Sequence, residues 1–261
     1  MKQQNSDEAH VYDSGFFDYI SEGSRSSADA VVAVLAPLLR PSASVLDVGC
    51  GLGIWAARFA KEASVSEVMG IDGEYIDRDM LAIPPESYLS HDLTKPLDLG
   101  RRFSLAISLE VGEHLPSEAS AVLVKTLVTH ADIVAFSAAV PGQGGEHHIN
   151  ERPLADWRAE FSQHGYATFD YVRPLLAGRS DVEPWYRYNT LLFVKAEVAN
   201  SLPESVRATR LDNDAPIPEI SPLFWRLRCA ALRTLPRSAV DRLAGFKHAL
   251  VRASRARRVP N

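Results

Sequence analysis

The chain has 261 residues, of which 46% are apolar and 23% charged, with a net charge of −5. That is enough for one large domain with a sizeable core, in proportions ordinary for a water-soluble globular protein, and no apolar run nears the ~18 residues of a membrane span. Two cysteines, Cys50 and Cys229, are too few for a disulfide framework and residues 1–10 are polar and acidic, unlike a secretory leader, so a reducing, cytoplasmic setting is expected.

The chain opens with a polar stretch carrying the aromatics Tyr12, Phe16, Phe17 and Tyr19. Ser27 is placed to cap a helix over 28–39, which Pro41 ends. The spacing then predicts a strand at 44–48, a helix at 54–63 and a strand at 67–71 that ends at Asp72. A short strand follows at 87–90 and a fourth at 103–109. Next come a helix at 117–129, with Ser117 as its cap, and a strand at 133–138. A helix over 153–163 stops at Gly165, and strands follow at 167–172 and 190–195. The alternation of strand and helix to residue 140 predicts an α/β fold with a Rossmann-like, seven-stranded, mostly parallel sheet. The last two strands are joined by a segment too short for a crossover helix of ordinary length. They are expected to pair antiparallel at one edge. Residues 201–221 are proline-rich and read as a linker or a wrapping loop. Residues 222–259 have helical composition, broken at Pro236. This divides the chain into a domain over 1–200 and a helical extension over 201–261.

Charge is spread unevenly between these parts. Residues 221–261 hold ten Lys or Arg and one acid, a net +9, which leaves −14 on the first 220 residues. An acidic body lacks the basic stripe of a nucleic-acid groove, so no nucleic-acid partner is expected. The basic extension suits a peripheral membrane surface or a homodimer contact.

The most specific signal is Asp47-Val48-Gly49-Cys50-Gly51-Leu52-Gly53. An apolar strand ends in an acid, and three glycines on alternate positions lead into a helix. Such a turn offers bare backbone to a ligand. Dinucleotide sites prefer Gly-x-Gly-x-x-Gly, whereas Ile54 and Trp55 follow Gly53 here and only Ala56 stands three residues on. In open α/β sheets ligands bind beyond the carboxyl ends of the strands. Asp72, Asp92 and Glu110 each follow such an end.

This stretch resembles the first motif of class I S-adenosylmethionine (SAM)-dependent methyltransferases, residue for residue. Ser108-Leu109-Glu110-Val111-Gly112-Glu113-His114-Leu115-Pro116 is similar to the family's segment after the fourth strand. The resemblance implies SAM as cofactor. It implies that Gly49, Gly51 and Gly53 approach the methionine and ribose portions, with Cys50 and Trp55 beside them, and that Asp47 orients the turn and the methionine amino group. Asp72, with Gly73, would take the ribose hydroxyls. Asp92 and Leu93 would meet the adenine, Glu110 would border the cofactor, and Tyr19 would close over it.

Methyl transfer to a hydroxyl needs a base for its proton. Histidine suits that step near neutral pH. The glycine-rich segment from Pro141 to Glu151 resembles a Gly-Gly-x-x-His-x-Asn segment of bacterial methyltransferases in glycan and natural-product gene clusters. His148 and Asn150 take the patterned positions. His148 is the first choice for general base and His114 the second, with His147, Asn150, Trp185 and Tyr186 facing the acceptor. His114, His147, His148, Glu110 and Glu113 could together hold a divalent ion. Adjacent histidines do not readily share one ion, however, and the loop has no Asp-Asp pair, so no metal is expected. The expected function is SAM-dependent methylation, at a hydroxyl oxygen of a small molecule or sugar. N-methylation of a small molecule and non-methyl chemistry with SAM are the alternatives.

Overall fold

The computed structural model describes residues 14–240 and 242–245, with side chains from Arg25 onward. In chain order the helices and strands are α1 (Ser14–Leu35), β1 (Ala43–Val48), α2 (Ile54–Phe59), β2 (Val65–Asp72), β3 (Tyr88–Ser90) and β4 (Leu105–Leu109). Then come α3 (Ser120–His130), β5 (Ile133–Ser137), α4 (Leu154–Ser162), β6 (Tyr166–Phe169), α5 (Val172–Leu176) and α6 (Pro184–Asn189). The chain continues through β7 (Leu191–Lys195), α7 (Ala196–Ala199), α8 (Glu204–Arg207) and α9 (Leu223–Arg233).

The seven strands form one sheet in the order β3-β2-β1-β4-β5-β7-β6. Strands β1 to β5 pair in parallel, and β7 runs antiparallel to both β5 and β6. The expected antiparallel pair at one edge is therefore present. Both faces of the sheet are covered, which is why its strands read as near-continuous apolar runs. Alternate residues serve opposite layers. Val45, Leu105 and Ile107 join the layer under α1 and α2. Leu46, Ala106, Phe136 and Phe193 join the layer under α3 and α4. On that second face Phe193 stacks on Phe161 with centroids 3.9 Å apart.

The chain leaves β1 toward β2 and β3, then returns to place β4 on the other side of β1. That reversal opens a crevice at the carboxyl ends of β1 and β4. Register aligns the strand ends there, with Asp47 opposite both Gly70 and Ile107.

Three local expectations are corrected. Ser27 does not cap a helix, since α1 begins at Ser14 and runs through it. Its hydroxyl is wholly buried and accepts the Glu183 N–H at 3.0 Å, a tertiary role that sequence spacing does not reveal. Ser117 makes no capping bond, and a tight turn over Ser117–Ala119 leads into α3. Strand β6 stops at Phe169 because Asp170 leaves the ladder. Its N–H goes to Thr209 and its carboxylate forms a two-point pair with Arg173, at 2.7 Å each.

Residues 201–221 wrap rather than link. Leu211 donates to Thr168 and Arg210 bridges Phe169, so this segment covers the β6 edge, which would otherwise expose unpaired backbone. No helix among the described residues is long and apolar enough to cross a membrane.

Candidate active site

The glycine turn is pinned from below. The N–H groups of Gly49 and Cys50 both donate to the Ile71 carbonyl, at 2.8 and 3.1 Å. Gly49 sits at φ +81°, and a Cβ there would lie 2.4 Å from the Val111 side chain. A side chain is excluded both by backbone conformation and by space. The same contact makes Val111, and with it the turn after β4, the neighbouring wall of the cradle. Cys50 lies buried within the turn, and burial followed by the nearby Asp47 pushes its thiol pKa well up.

Two acids flank the cradle and both are buried. Asp47 Oδ2 has no partner. Burial first and the charge of Asp72 second push the Asp47 carboxyl up to about 8, although a hydrogen bond to the Ala56 backbone works the other way. Asp72 accepts the N–H of Gly51 and of Gly73, each at 2.7 Å, and the Tyr75 hydroxyl. Burial raises its pKa against these bonds. Asp92 is exposed, and its Oδ1 takes both the N–H and the hydroxyl of Thr94. Those bonds hold its carboxyl below the usual range. Leu93 is half-buried against the second core layer.

A second cluster is built from the turn after β4 and the loop after β5. Glu110 has left-handed backbone, φ +58°, and so has His147 at φ +59°. Strained non-glycine backbone of this kind clusters at functional sites. Gln143 donates to Glu110 at 2.6 Å and accepts from Asn189 at 2.7 Å, joining the two segments to α6. Burial raises the Glu110 pKa, against the Gln143 bond.

Beyond it, Glu113 is wholly buried, with its carboxyl set against that of Glu110 and no well-formed bond from another side chain. Burial and then Glu110 push its pKa well above the carboxylate range. His114 stands edge-on to His148, ring centroids 5.0 Å apart. Burial first, then the charge of His148, lower its pKa to about 3. It stays neutral at physiological pH and is a weak base.

His148 is different. Its Nδ1 lies 3.1 Å from Glu151 Oε1, and Glu151 also accepts the N–H of Gly142 and of Gly144. Burial opposes the Glu151 charge, yet the bonds from His148, Gly142 and Gly144 outweigh it and hold its pKa low. Gly145 lies flat against the imidazole, and a Cβ there would come 2.1 Å from Nε2.

Several expected site residues stand elsewhere. His147 is exposed. Asn150 is buried, and its amide donates to the Gly112 carbonyl and the Ser120 hydroxyl, which fastens the loop and leaves it little to offer an acceptor. Tyr186 packs edge-on against Trp55 at 4.9 Å, and both are buried. Trp185 packs against Tyr188, Trp225 and Cys229. The side chain of Tyr19 lies outside the described residues. Sequence reading missed Gln143, Glu151 and Asn189 as site residues. Glu151, three residues after His148, carried a visible signal, because an acid near a candidate base is its natural orienter. Helix α9 also reaches the loop, where Arg228 donates to the Gln143 carbonyl at 2.7 Å.

Residues 19–171 match the model of a methyltransferase domain family. Among solved structures the chain is similar to DesVI of Streptomyces venezuelae, 18% identical over 72% of this chain and 98% of that one, with a TM-score of 0.53. It is also similar to the small RNA methyltransferase HEN1, 15% identical over 63% and 24% of the two chains, TM-score 0.50. A third is the magnesium protoporphyrin IX methyltransferase ChlM of Synechocystis PCC 6803 with bound SAH, 19% identical over 74% and 94%, TM-score 0.49. At such identities the likeness to DesVI and HEN1 is one of fold. No curated protein matches the chain significantly.

Proposed function

Because the chain belongs to the class I SAM-dependent methyltransferase family, we propose that it methylates a hydroxyl oxygen of a small molecule or sugar, with His148 as general base. The observation that carries the oxygen assignment is the His148–Glu151 pair in the loop after β5. A histidine whose Nδ1–H is held by a carboxylate presents its other nitrogen as an acceptor, in a fixed orientation. An amine nucleophile has less need of such a device.

The cradle fits the cofactor. The partnerless Oδ2 of Asp47 and the adjacent Asp72 suit a ligand that brings a cationic amino group and ribose hydroxyls. We assign Gly49, Gly51, Gly53, Cys50 and Gly73 to the same contact surface, with Asp92 and Leu93 toward the adenine. SAM supplies an electrophilic methyl group when bound. The protein's share is to hold the acceptor oxygen in line and to remove its proton, a matter of orientation and base strength. His148 takes the proton. Glu151 keeps the ring in place and favours the imidazolium that forms. His114, neutral at physiological pH, borders the acceptor with Glu113 beside it.

The first 200 residues are read as the catalytic domain and the remainder as an accessory element. The acidic first 220 residues favour a small acceptor over a nucleic-acid duplex. Helix α9 buries Trp225 and Cys229 but exposes Leu223, Phe224 and Leu227 beside Arg226. This face, with the basic residues after it, is assigned to a membrane surface or a second copy. The basic tail beyond residue 245 lies outside the described residues.

The test is SAH release from SAM with a panel of hydroxylated small molecules, sugars, amines and RNA. Methylation confined to hydroxyls of small acceptors, with turnover lost and SAM affinity kept in His148→Ala, supports the proposal. Methylation of amines or of RNA instead, or full turnover in that variant, overturns it.

A further inference from the structure

Four buried polar atoms without a well-formed hydrogen bond lie in one short turn, Glu110 Oε1, both carboxylate oxygens of Glu113, and His114 Nδ1, with the two carboxyls set against each other. Two carboxyls buried against each other need a shared proton or a cation between them, and the adjacent His114 Nδ1 offers a cation a third donor. One donor atom each from Glu113, His114 and His148 lies within 4.8 Å of the other two. From this convergence we infer that Glu113, His114 and His148 form a binding site for a divalent transition-metal ion, with Glu110 beside it.

The donor set names the class of ion. Two imidazoles and one carboxylate are a ligand set of three-coordinate protein sites for zinc, which keep a fourth position open. Calcium and magnesium favour oxygen ligands and are poorly served by two histidines. Tetrahedral ligands about 2.1 Å from zinc sit roughly 3.4 Å apart, so the widest pair must close by at most about 1.4 Å. That is within reach of side-chain adjustment, because Glu113 and His148 lie on segments already tied together. The Glu113 carbonyl accepts the N–H of both Ile149 and Asn150, at 2.7 and 3.0 Å.

The surroundings are those of metal ligands. Histidines that bind metals commonly give their second ring nitrogen to a carboxylate or a backbone carbonyl. His148 has Glu151 on Nδ1. The sequence-based objection, that His147 and His148 cannot share an ion, no longer applies. Only His148 belongs to the cluster, and His147 is exposed. An ion here engages the lone pair that proton transfer needs, so zinc and the acceptor proton compete for His148. The site itself does not depend on the methyl-transfer reading.

The experiment is zinc titration by calorimetry, with metal content after dialysis, on the tag-free full-length chain stripped with chelator. One zinc ion per chain is expected. Glu113→Gln and His114→Gln should each weaken it by tenfold or more, and Glu151→Gln by about tenfold, while His147→Gln leaves it unchanged. Each variant is checked by SAM affinity, which reports an intact cradle without using the cluster. Absence of stoichiometric zinc overturns the site. So does equal affinity in wild type and in Glu113→Gln with SAM binding intact, or zinc binding that follows His147. Loss of SAM binding in wild type would instead sink the methyl-transfer reading and leave the zinc result standing.

Discussion

Glu151 accepts from His148 Nδ1 at 3.1 Å and, through the same carboxylate, from the backbone N–H groups of Gly142 and Gly144 at 2.7 and 2.8 Å. One side chain therefore shapes the loop and aims the proposed base. Glu151→Gln keeps one good acceptor oxygen but loses the charge that favours an imidazolium. Turnover should fall about 10- to 100-fold, with SAM affinity unchanged. Steady-state kinetics alongside SAM calorimetry checks this. Wild-type kcat in the variant would detach Glu151 from the chemistry.

Gly145→Ala places a methyl group where His148 Nε2 now sits, 2.1 Å from the new Cβ. The imidazole must move, while the core is untouched. The expected outcome is a loss of kcat approaching that of His148→Ala, with thermal stability within a degree or two of wild type. A large drop in melting temperature would mean that the glycine serves the loop's folding instead.

Asp47 gives a pH prediction. Its carboxyl, pushed up to about 8, is mostly protonated at pH 7 in the free protein. A cationic amino group placed against it favours the ionised form, so SAM binding at pH 7 should release a proton. Affinity should climb by up to tenfold per pH unit from about 6 to 8 and level off above. Calorimetry in buffers of different ionisation enthalpy checks this, and identical enthalpies would remove Asp47 from the contact. The stability sign follows from the same shift. Between pH 4 and 8 the folded state keeps a proton that the unfolded chain has lost, so this group's contribution to stability falls as pH rises. Asp47→Asn should therefore gain thermal stability over wild type progressively from pH 4 to 8, while binding SAM more weakly.

Arg173 and Asp170 form a buried two-point ion pair, and the guanidinium also donates to the carbonyls of Tyr188 and Pro218. Arg173→Met strands a carboxylate in the interior and should cost about 3–5 kcal/mol. Combining it with Asp170→Leu should recover much of that loss. Denaturant unfolding of the single and double variants measures both, and equal stability of the two would show that the pair is not coupled.

The fold was readable where one physical cause dominates. β1 and β4 are buried on both faces, so they appear as near-continuous apolar runs, and the glycines of the turn answer to a close approach such as that of Val111 to Gly49. What escaped reading depends on contacts between distant segments. Ser27 is a favourable cap by local chemistry, yet its hydroxyl is taken by Glu183. Gln143 and Asn189 have no periodicity or spacing to announce them, and only the folded chain brings them together over Glu110. Asn150 was legible as important but not as structural, because a sequence does not tell whether an amide faces a ligand or a buried carbonyl.

The position of β7 has a consequence for how the chain is made. β7 is the last strand among the described residues, yet it fills the gap between β5 and β6. Until Leu191–Lys195 has emerged from the ribosome, the outer edge of β5 has no partner and β6 has no neighbour in the sheet. An exposed β5 edge invites pairing with other nascent chains. A chain arrested near residue 171, where the family match ends, should therefore be captured by chaperones or aggregate, and a few dozen further residues should release it as a closed sheet.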